Sequence, residues 1–458
     1  MITIYLDKQV FSHLFNAREE KYSLLREKIL SHKDEFIFFY SNAHLFDLQD
    51  DKTNIKYAEM DFMQTIVDGN RLIYEDAKQV VMKQSPRDAF MNIGKVGDIS
   101  WLENIDLSQI TEEQRKAINN IIDISMKDLK GELNFDWIIK RTPISTDELQ
   151  IDNSSFSAFV KFMFHNLYEE KEPYKIVRDN TIAKYNPTLI TSEDENVFNE
   201  QLASAPLGLS FIDMIKAILT QIGLSSSDSA TVYYMSYMLP DLLGVNKETR
   251  KKVKLKNMEA DCCHSFFGSY CDCIVSDDEG LRQKSKTLYK LFNFGTKVYS
   301  IDDFIRKFDK AINNNKKSAY EYFDEINKDY QAKQILKADT TQEYIFTHLK
   351  ISCEYFGYFN CMFERKSKEE TVIILHKSFD LKQPILTKEI EIIVNRIVRV
   401  FNEMGANFAL FNEAIELPLL KADNWNRILI LNDADVCLTK FKDTPMLCLW
   451  IKPKKPIP

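Results

Sequence analysis

Several features are missing from this sequence of 458 residues, and each absence narrows the class of protein. No run approaches the ~20 apolar residues that a membrane-spanning helix needs. Asp7 and Lys8 interrupt the apolar start of the chain, whereas a signal peptide continues it. The eight cysteines form no C-x-x-C pair, so reduced thiols are expected rather than disulfides. We therefore expect a cytoplasmic protein without a membrane-bound segment.

The chain also lacks an excess of positive charge, because its formal net charge is −8. The total does not indicate a nucleic-acid binder, although the distribution of charge matters more than the sum. A hydrophobic fraction of 45% and 31 phenylalanines argue against disorder. The length predicts two or three domains, each able to bury its own core.

Three short apolar runs, typical of buried strands, each lead into acidic residues. The runs are residues 1–6, 36–40 and 273–275, and the acids that follow them are Asp7, Asp47, Asp277 and Asp278. Because the carboxyl ends of parallel strands lie at one edge of a sheet, we expect these acids to share a cleft. Crowded carboxylates repel one another unless a cation neutralises them, and hard oxygen ligands suit Mg²⁺ or Mn²⁺.

The order of these motifs resembles the PIN-like nucleases. The matching pieces are the strand before Asp7, Ser41…Asp47-Leu48, Asp261-x-x-His264 and Cys271-Asp272-x-Ile-Val-Ser276-x-Asp278. The resemblance covers residues 1–65 and 255–305, and it implies an α/β/α sandwich with a parallel central sheet. It also implies that four acids bind divalent metal and form the catalytic site: Asp7, Asp47, Asp261 and Asp278. Asp47 stands where many members have Glu, and the long insertion departs from the usually compact family core.

Neighbouring polar residues are candidates for supporting these acids. His44 and His264 each lie three residues from one of them, and either could hold a carboxylate by hydrogen bonding or touch the scissile phosphate. The alternative for both is a helix histidine that packs against the sheet and bonds to a backbone carbonyl. Ser276 and Asp277 are further candidates, since a hydroxyl beside Asp278 can support the acid or the metal shell.

The pattern predicts an α/β chain in four segments. They are the first part of the PIN-like domain (1–65), a helical insertion (66–250), the second part of that domain (251–312) and a smaller α+β accessory domain (318–458). Leu72, Ile73, Val80 and Val81 are interpreted as part of the helical insertion. The accessory domain has no catalytic constellation, so we expect it to bind a protein partner or a second copy of the chain.

These features predict a metal-dependent endonuclease, with RNA favoured over DNA on family grounds and a role as a toxin or antiviral defence effector. Two other classes remain open. One is a PIN-like scaffold or regulatory protein without activity. The other is a phosphatase-type hydrolase with Asp7 as nucleophile, but that chemistry requires a second Asp two residues later, where this chain has Gln9.

Basic residues flank the acids on both sides. The segment 247–256 holds six basic residues and one acid, and further cations follow Asp278. We expect nucleic-acid backbone to contact Lys251, Lys252, Lys254, Arg282 and Lys284. The alternative is a solvated linker followed by an exposed helix face.

Replacing Lys251, Lys252 and Lys254 with Gln should weaken RNA binding and flatten its salt dependence. The reason is that each neutralised phosphate contributes about 0.7 to the log–log salt slope for single strands. Binding isotherms of an Asp7→Asn background at several salt concentrations measure both quantities. An unchanged affinity and slope would favour the solvated linker.

Overall fold

A computed structural model describes residues 1–49, 51–93, 210–221, 225–242, 255–341, 343–378, 386–422, 425–431, 434–440 and 446–454. Its helices are α1 (Lys8–Asn16), α2 (Glu20–Ser31), α3 (Asn42–Gln49), α4 (Ile55–Val67), α5 (Pro86–Asn92), α6 (Phe211–Gln221), α7 (Ser229–Leu242), α8 (Leu255–Gly268), α9 (Glu279–Leu291), α10 (Ile301–Asn315), α11 (Ala319–Ala332), α12 (Thr387–Asn402) and α13 (Glu413–Lys421). Its strands are β1 (Thr3–Leu6), β2 (Ile37–Ser41), β3 (Asn70–Glu75), β4 (Lys78–Lys83), β5 (Cys273–Val275), β6 (Lys297–Tyr299), β7 (Ile335–Thr340), β8 (Ile345–Leu349), β9 (Cys361–Lys366), β10 (Thr371–His376), β11 (Asn426–Ile430), β12 (Ala434–Lys440) and β13 (Leu447–Pro453).

The predicted α/β class is confirmed, and the first sheet has the order β4-β3-β2-β1-β5-β6. Strand β1 pairs in parallel with β2 on one edge and with β5 on the other. Strands β3 and β6 extend this parallel arrangement, whereas β4 runs antiparallel to β3. The sheet is therefore mixed, with the three predicted strands next to one another at its centre.

Side chains from β1 enter two separate apolar cores, because successive residues of a strand point to opposite faces. Ile4 and Leu6 pack in a core that also contains residues of α1, α2, α4 and α10. Tyr5 belongs to the other core, with residues of α8 and α9. All four residues of β1 are buried, which explains why its sequence is apolar at consecutive positions.

Residues 70–83 form a β-hairpin, so their predicted helical conformation is wrong. Leu72 pairs with Val81 and Ile73 with Val80 across the two strands. The turn residues Asp76 and Ala77 have φ of 49° and 58°, the left-handed conformation at both central positions that a tight hairpin turn requires. Strand β3 also pairs with β2, so the first sheet continues beyond the predicted boundary at residue 65.

Helices α6 and α7 lie in the predicted helical insertion. The remaining parts of the insertion, residues 94–209, 222–224 and 243–250, lie outside the described residues.

The second sheet is antiparallel throughout, with the order β11-β12-β13-β10-β9-β8-β7. Leu375 and Leu449 of this sheet share a core with Ile393 of α12 and Ile326 of α11. The mixture of strands and helices agrees with the predicted α+β pattern of the C-terminal third.

A largely buried cluster of charges joins the two sheets. Asp272, which precedes β5, accepts hydrogen bonds from the backbone N–H groups of Ile2 at 2.6 Å and Thr3 at 3.1 Å. Lys377, which follows β10, forms an ion pair with Asp272 and lies 3.7 Å from Glu389 of α12. Burial alone would raise the pKa of Asp272, but the charge of Lys377 lowers it below its usual range. The cluster therefore attaches the amino end of β1 to the second sheet.

Replacing Lys377 with Met should destabilise the protein by about 3–5 kcal/mol, because it leaves the buried Glu389 and the largely buried Asp272 without their cation. Lys388→Met is the matched control, since Lys388 forms an exposed pair with Glu391 at 3.1 Å. Such pairs contribute about 0–1 kcal/mol. Urea unfolding of both variants measures the difference, and equal losses would contradict a special role for the buried cluster.

Candidate functional site

The candidate site lies at the carboxyl end of β1. At this point the chain stops adding strands on one side of β1 and starts adding them on the other. Strands β2 and β3 lie on one side of β1, and β5 and β6 lie on the other. In open α/β sheets such a reversal leaves a crevice outside the carboxyl ends of the strands, and ligands bind there. Asp7 directly follows β1, Ser41 ends β2 and Ser276 directly follows β5.

Asp7 is a buried carboxylate that caps a helix. Its side chain is 4% exposed, and Oδ1 accepts a hydrogen bond from the N–H of Val10 in α1 at 3.0 Å. Burial raises the pKa of Asp7, and the neighbouring charge of Asp47 acts in the same direction. The charge of His264 and a hydrogen bond with Ser276 partly oppose this rise. Asp7 is thus an acid whose ionised form is disfavoured in the folded protein.

Ser276 connects Asp7 with the acids that follow β5. Besides its contact with Asp7, its Oγ accepts a hydrogen bond from the N–H of Asp278 at 3.0 Å. The Asp278 carboxylate caps α9 by accepting from the N–H of Leu281 at 2.7 Å. The Asp277 carboxylate instead accepts from the N–H of Ile301, the first residue of α10, at 3.1 Å. Of the two acids Asp277 and Asp278, it is therefore Asp278 that is linked to Asp7, through the hydroxyl of Ser276.

Asp47 and His264 form the contact that joins α3 to α8. The distance between Asp47 Oδ2 and His264 Nε2 is 3.0 Å. Burial alone would lower the pKa of His264, but the hydrogen bond and the charge of Asp47 outweigh it and raise the pKa. The charges of Asp7 and Asp261 add to this effect. His264 thus holds a carboxylate, as one of the two sequence-based alternatives proposed.

The four predicted acids can now be placed. Asp7, Asp47 and Asp261 all raise the pKa of His264 through their charges, and Asp261 lies one turn before it on α8. Asp278 is connected to this group only through its backbone N–H, which donates to Ser276, whereas its carboxylate caps α9. The structure therefore brings together residues that are far apart in sequence.

His44 has a structural role instead. Its Nε2 donates to the backbone oxygen of Leu6 at 2.7 Å, and its Nδ1 accepts from the N–H of Ser41 at 3.1 Å. Both ring nitrogens are thus used by the backbone at the ends of β1 and β2. Burial, together with the charge of His264, holds the pKa of His44 well below its usual range. These contacts agree with the second interpretation of His44 from the sequence, a helix histidine that packs against the sheet and bonds to a backbone carbonyl.

Tyr5 and Ser41 were not identified as site residues from the sequence. The buried Tyr5 hydroxyl lies 2.7 Å from Ser41 Oγ and 2.9 Å from His264 Nδ1. The sequence gives one indication of this contact: a tyrosine stands in the middle of an apolar strand, and a buried tyrosine hydroxyl requires a hydrogen-bond partner. The sequence does not indicate which partner is used.

The predicted nucleic-acid contacts have different outcomes. Lys251, Lys252 and Lys254 lie outside the described residues. Lys284 does not lie on an exposed helix face, because its side chain is 8% exposed and its Nζ lies 5.0 Å from the centre of the Tyr237 ring. Arg282 is half-buried and donates from Nη1 to the backbone oxygen of Ser276 at 2.8 Å. Arg282 is therefore the described cation beside the acids, whereas Lys284 contributes to packing.

The donor set can be compared with what a divalent cation requires. In the described part of the chain, no group of three His, Cys, Asp or Glu side chains could hold a metal ion. Mg²⁺, however, is usually bound through one or two carboxylates together with waters and substrate phosphates. The neighbouring carboxylates of Asp7 and Asp47 fit this open kind of site, and Asp7 is a buried acid whose charged form a cation would favour. All eight cysteines are free thiols.

Comparisons of the chain with protein-family models, with curated proteins and with solved structures find no match. Among the helices that the structure describes, none has the length and apolar character to span a membrane.

Replacing Asp47 with Asn should change how stability depends on pH. Because the pKa of His264 is raised in the fold, its ion pair stabilises fully below the ordinary histidine pKa of about 6.5 and is lost as the pH rises through the raised value. The variant should be less stable than wild type by about 1–3 kcal/mol under mildly acidic conditions, and the difference should shrink at alkaline pH. Urea unfolding across this range measures it.

Asp61→Asn is the control, because Asp61 forms an exposed pair with Arg87 at 2.9 Å. That variant should differ little from wild type, and to the same extent throughout the range. Parallel stability curves for Asp47→Asn and wild type would show that the pair contributes no pH dependence.

Proposed function

We propose that this protein is a divalent-metal-dependent nuclease that hydrolyses phosphodiester bonds, with RNA as the favoured substrate. The observation that carries the proposal is the convergence of Asp7, Asp47 and Asp261 around His264, which contacts Asp47 at 3.0 Å, at the carboxyl ends of the parallel strands β1, β2 and β5. Three acids in one partly buried region repel one another. Clustered groups with a shifted pKa in a crevice are typical of functional sites.

In this proposal Asp7 and Asp47 would hold Mg²⁺ or Mn²⁺, with Asp261 and Asp278 beside them. When bound, such an ion supplies Lewis-acid activation of a phosphodiester. His264 orients the Asp47 carboxylate through the 3.0 Å contact, and Ser276 orients Asp7. Arg282, held by the Ser276 carbonyl, provides a cation for an adjacent phosphate.

The resemblance to PIN-like nucleases supplies the remaining parts of the proposal. Helices on both faces of the first sheet fit the sandwich that the resemblance implies. The preference for RNA comes from the resemblance alone, and the role as a toxin or antiviral defence effector comes from the acidic net charge and the long insertion. A protein or second-copy partner for residues 318–458 is part of the same proposal.

An inactive PIN-like regulator is the second candidate, and specific contacts favour it. Asp47 already has an internal partner in His264, and Asp278 already caps α9. Both carboxylates are thus used within the protein, as they would be if the acids had only a structural role. The two candidates differ in whether added metal produces cleavage.

Incubating the protein with labelled RNA and DNA, with and without Mn²⁺ or Mg²⁺, tests the proposal. We expect metal-dependent cleavage that Asp7→Asn reduces by more than about 100-fold, the upper end of the range for outer-shell partners. Without metal, Asp7→Asn should be more stable than wild type at neutral pH. The reason is that a raised Asp pKa stabilises only at low pH, and this gain is lost as the pH rises through the folded value.

Asp309→Asn is the matched control, because Asp309 forms an exposed ion pair with Lys28 at 2.6 Å on α10. It should retain cleavage. A wild-type protein that binds Mn²⁺ but cleaves neither polymer would favour the regulator, and hydrolysis of small phosphate esters alone would favour the phosphatase class.

A further inference from the structure

The hydroxyl of Tyr5 is the centre of a buried hydrogen-bond network that connects four elements. It lies 2.9 Å from His264 Nδ1 on α8 and 2.7 Å from Ser41 Oγ at the end of β2. The opposite nitrogen of His264 meets Asp47 on α3 at 3.0 Å. Tyr5 itself is fully buried in β1, so the network starts in the most constrained strand of the sheet.

The two contacts of His264 restrict the position of its protons. An ionised Asp47 only accepts hydrogen bonds, so Nε2 must carry a proton to donate to it. Nδ1 then either accepts from the Tyr5 hydroxyl or, in the charged ring, donates to it. A phenolic hydroxyl can both donate and accept, so Tyr5 satisfies His264 in either state without moving. Ser41 Oγ at 2.7 Å is the nearer of the other two partners of the hydroxyl, and His44 Nδ1 lies at 3.4 Å.

Removing the hydroxyl would end this restriction. With Phe at position 5, a buried Nδ1 would lose a partner, which costs about 1–3 kcal/mol. The ring could recover a partner for Nδ1 only by rotating, and that rotation leaves Asp47 without a fixed donor. His44 cannot replace Tyr5, because its two nitrogens already bond to the backbone of Leu6 and Ser41.

We propose that Tyr5 is a positioning residue of the nuclease site: its hydroxyl fixes the His264 ring with Nε2 towards Asp47, and thereby holds the Asp47 carboxylate ready for the cation. This inference rests on the proposed function for its catalytic consequence, whereas the orientation of His264 can be tested independently. It assigns a role to a strand residue that neither reacts nor contacts substrate.

The test compares Tyr5→Phe with Tyr233→Phe. Tyr233 is a matched control because it is also buried and its hydroxyl lies 2.6 Å from Ser265 Oγ, the residue next to His264 on α8. Both variants lose one buried hydroxyl that contacts the same helix. General destabilisation should therefore be similar, and only Tyr5→Phe should affect Asp47.

The first readout is the imidazole ¹⁵N spectrum of His264 at one fixed pH, without metal. Tyr5→Phe should change the Nδ1 and Nε2 signals from those of wild type, whereas Tyr233→Phe should preserve them. Unchanged His264 signals in Tyr5→Phe would overturn the proposal, whether or not the protein cleaves RNA. A wild type without activity, together with changed signals, would reject the nuclease function while supporting the positioning of His264.

The second readout is the kinetics of RNA cleavage at saturating Mn²⁺. Tyr5→Phe should lower kcat by about tenfold, the lower end for outer-shell partners, with KM within about twofold of wild type. Tyr233→Phe should leave both parameters near wild type, and equal losses of kcat in the two variants would overturn the proposal. Should Tyr5→Phe fail to fold, the wild-type imidazole ¹⁵N spectrum decides, because the proposal requires the proton of the neutral His264 ring to be on Nε2. A neutral His264 ring with its proton on Nδ1 would overturn the proposal as well.

Discussion

The parallel pairing of β1 with β2 and β5 is the constraint on which the candidate site depends. Ile4 is in register with Phe38 on one side and with Cys273 on the other, so β1 cannot slide without breaking both ladders. Since parallel strands end at the same edge, this pairing fixes Asp7 near the ends of the two neighbouring strands. Main-chain hydrogen bonds thus determine the site before any side-chain contact is considered.

The polar network beneath the acids is the second requirement. A buried polar group without a partner costs about 1–3 kcal/mol, and in this region Tyr5, Ser41, His44 and His264 satisfy one another or the backbone. Because every member has a partner, the rings cannot rotate independently. The network therefore transmits the rigidity of β1 to Asp47 on α3.

Two acids near opposite ends of β1 lie in opposite electrostatic environments. Asp272 at the amino end is paired with Lys377, and its pKa is lowered. Asp7 at the carboxyl end is buried, which raises its pKa, and the charge of Asp47 adds to the rise. The Lys377 contact stabilises the junction of the two sheets, whereas the charged form of Asp7 is the one that a bound cation would favour.

The sequence by itself determined the three central strands and the acids that follow them, because consecutive apolar residues between polar ones require burial on both faces. It did not determine the hairpin at residues 70–83, since paired apolar residues such as Leu72-Ile73 fit either a helix or a strand until β2 provides an edge. The burial of Lys284 against Tyr237 and the partners of the Tyr5 hydroxyl were likewise decided only by tertiary packing. The physical reason is that a strand or helix pattern depends on neighbours along the chain, whereas the partner of a buried polar group depends on which elements meet in space.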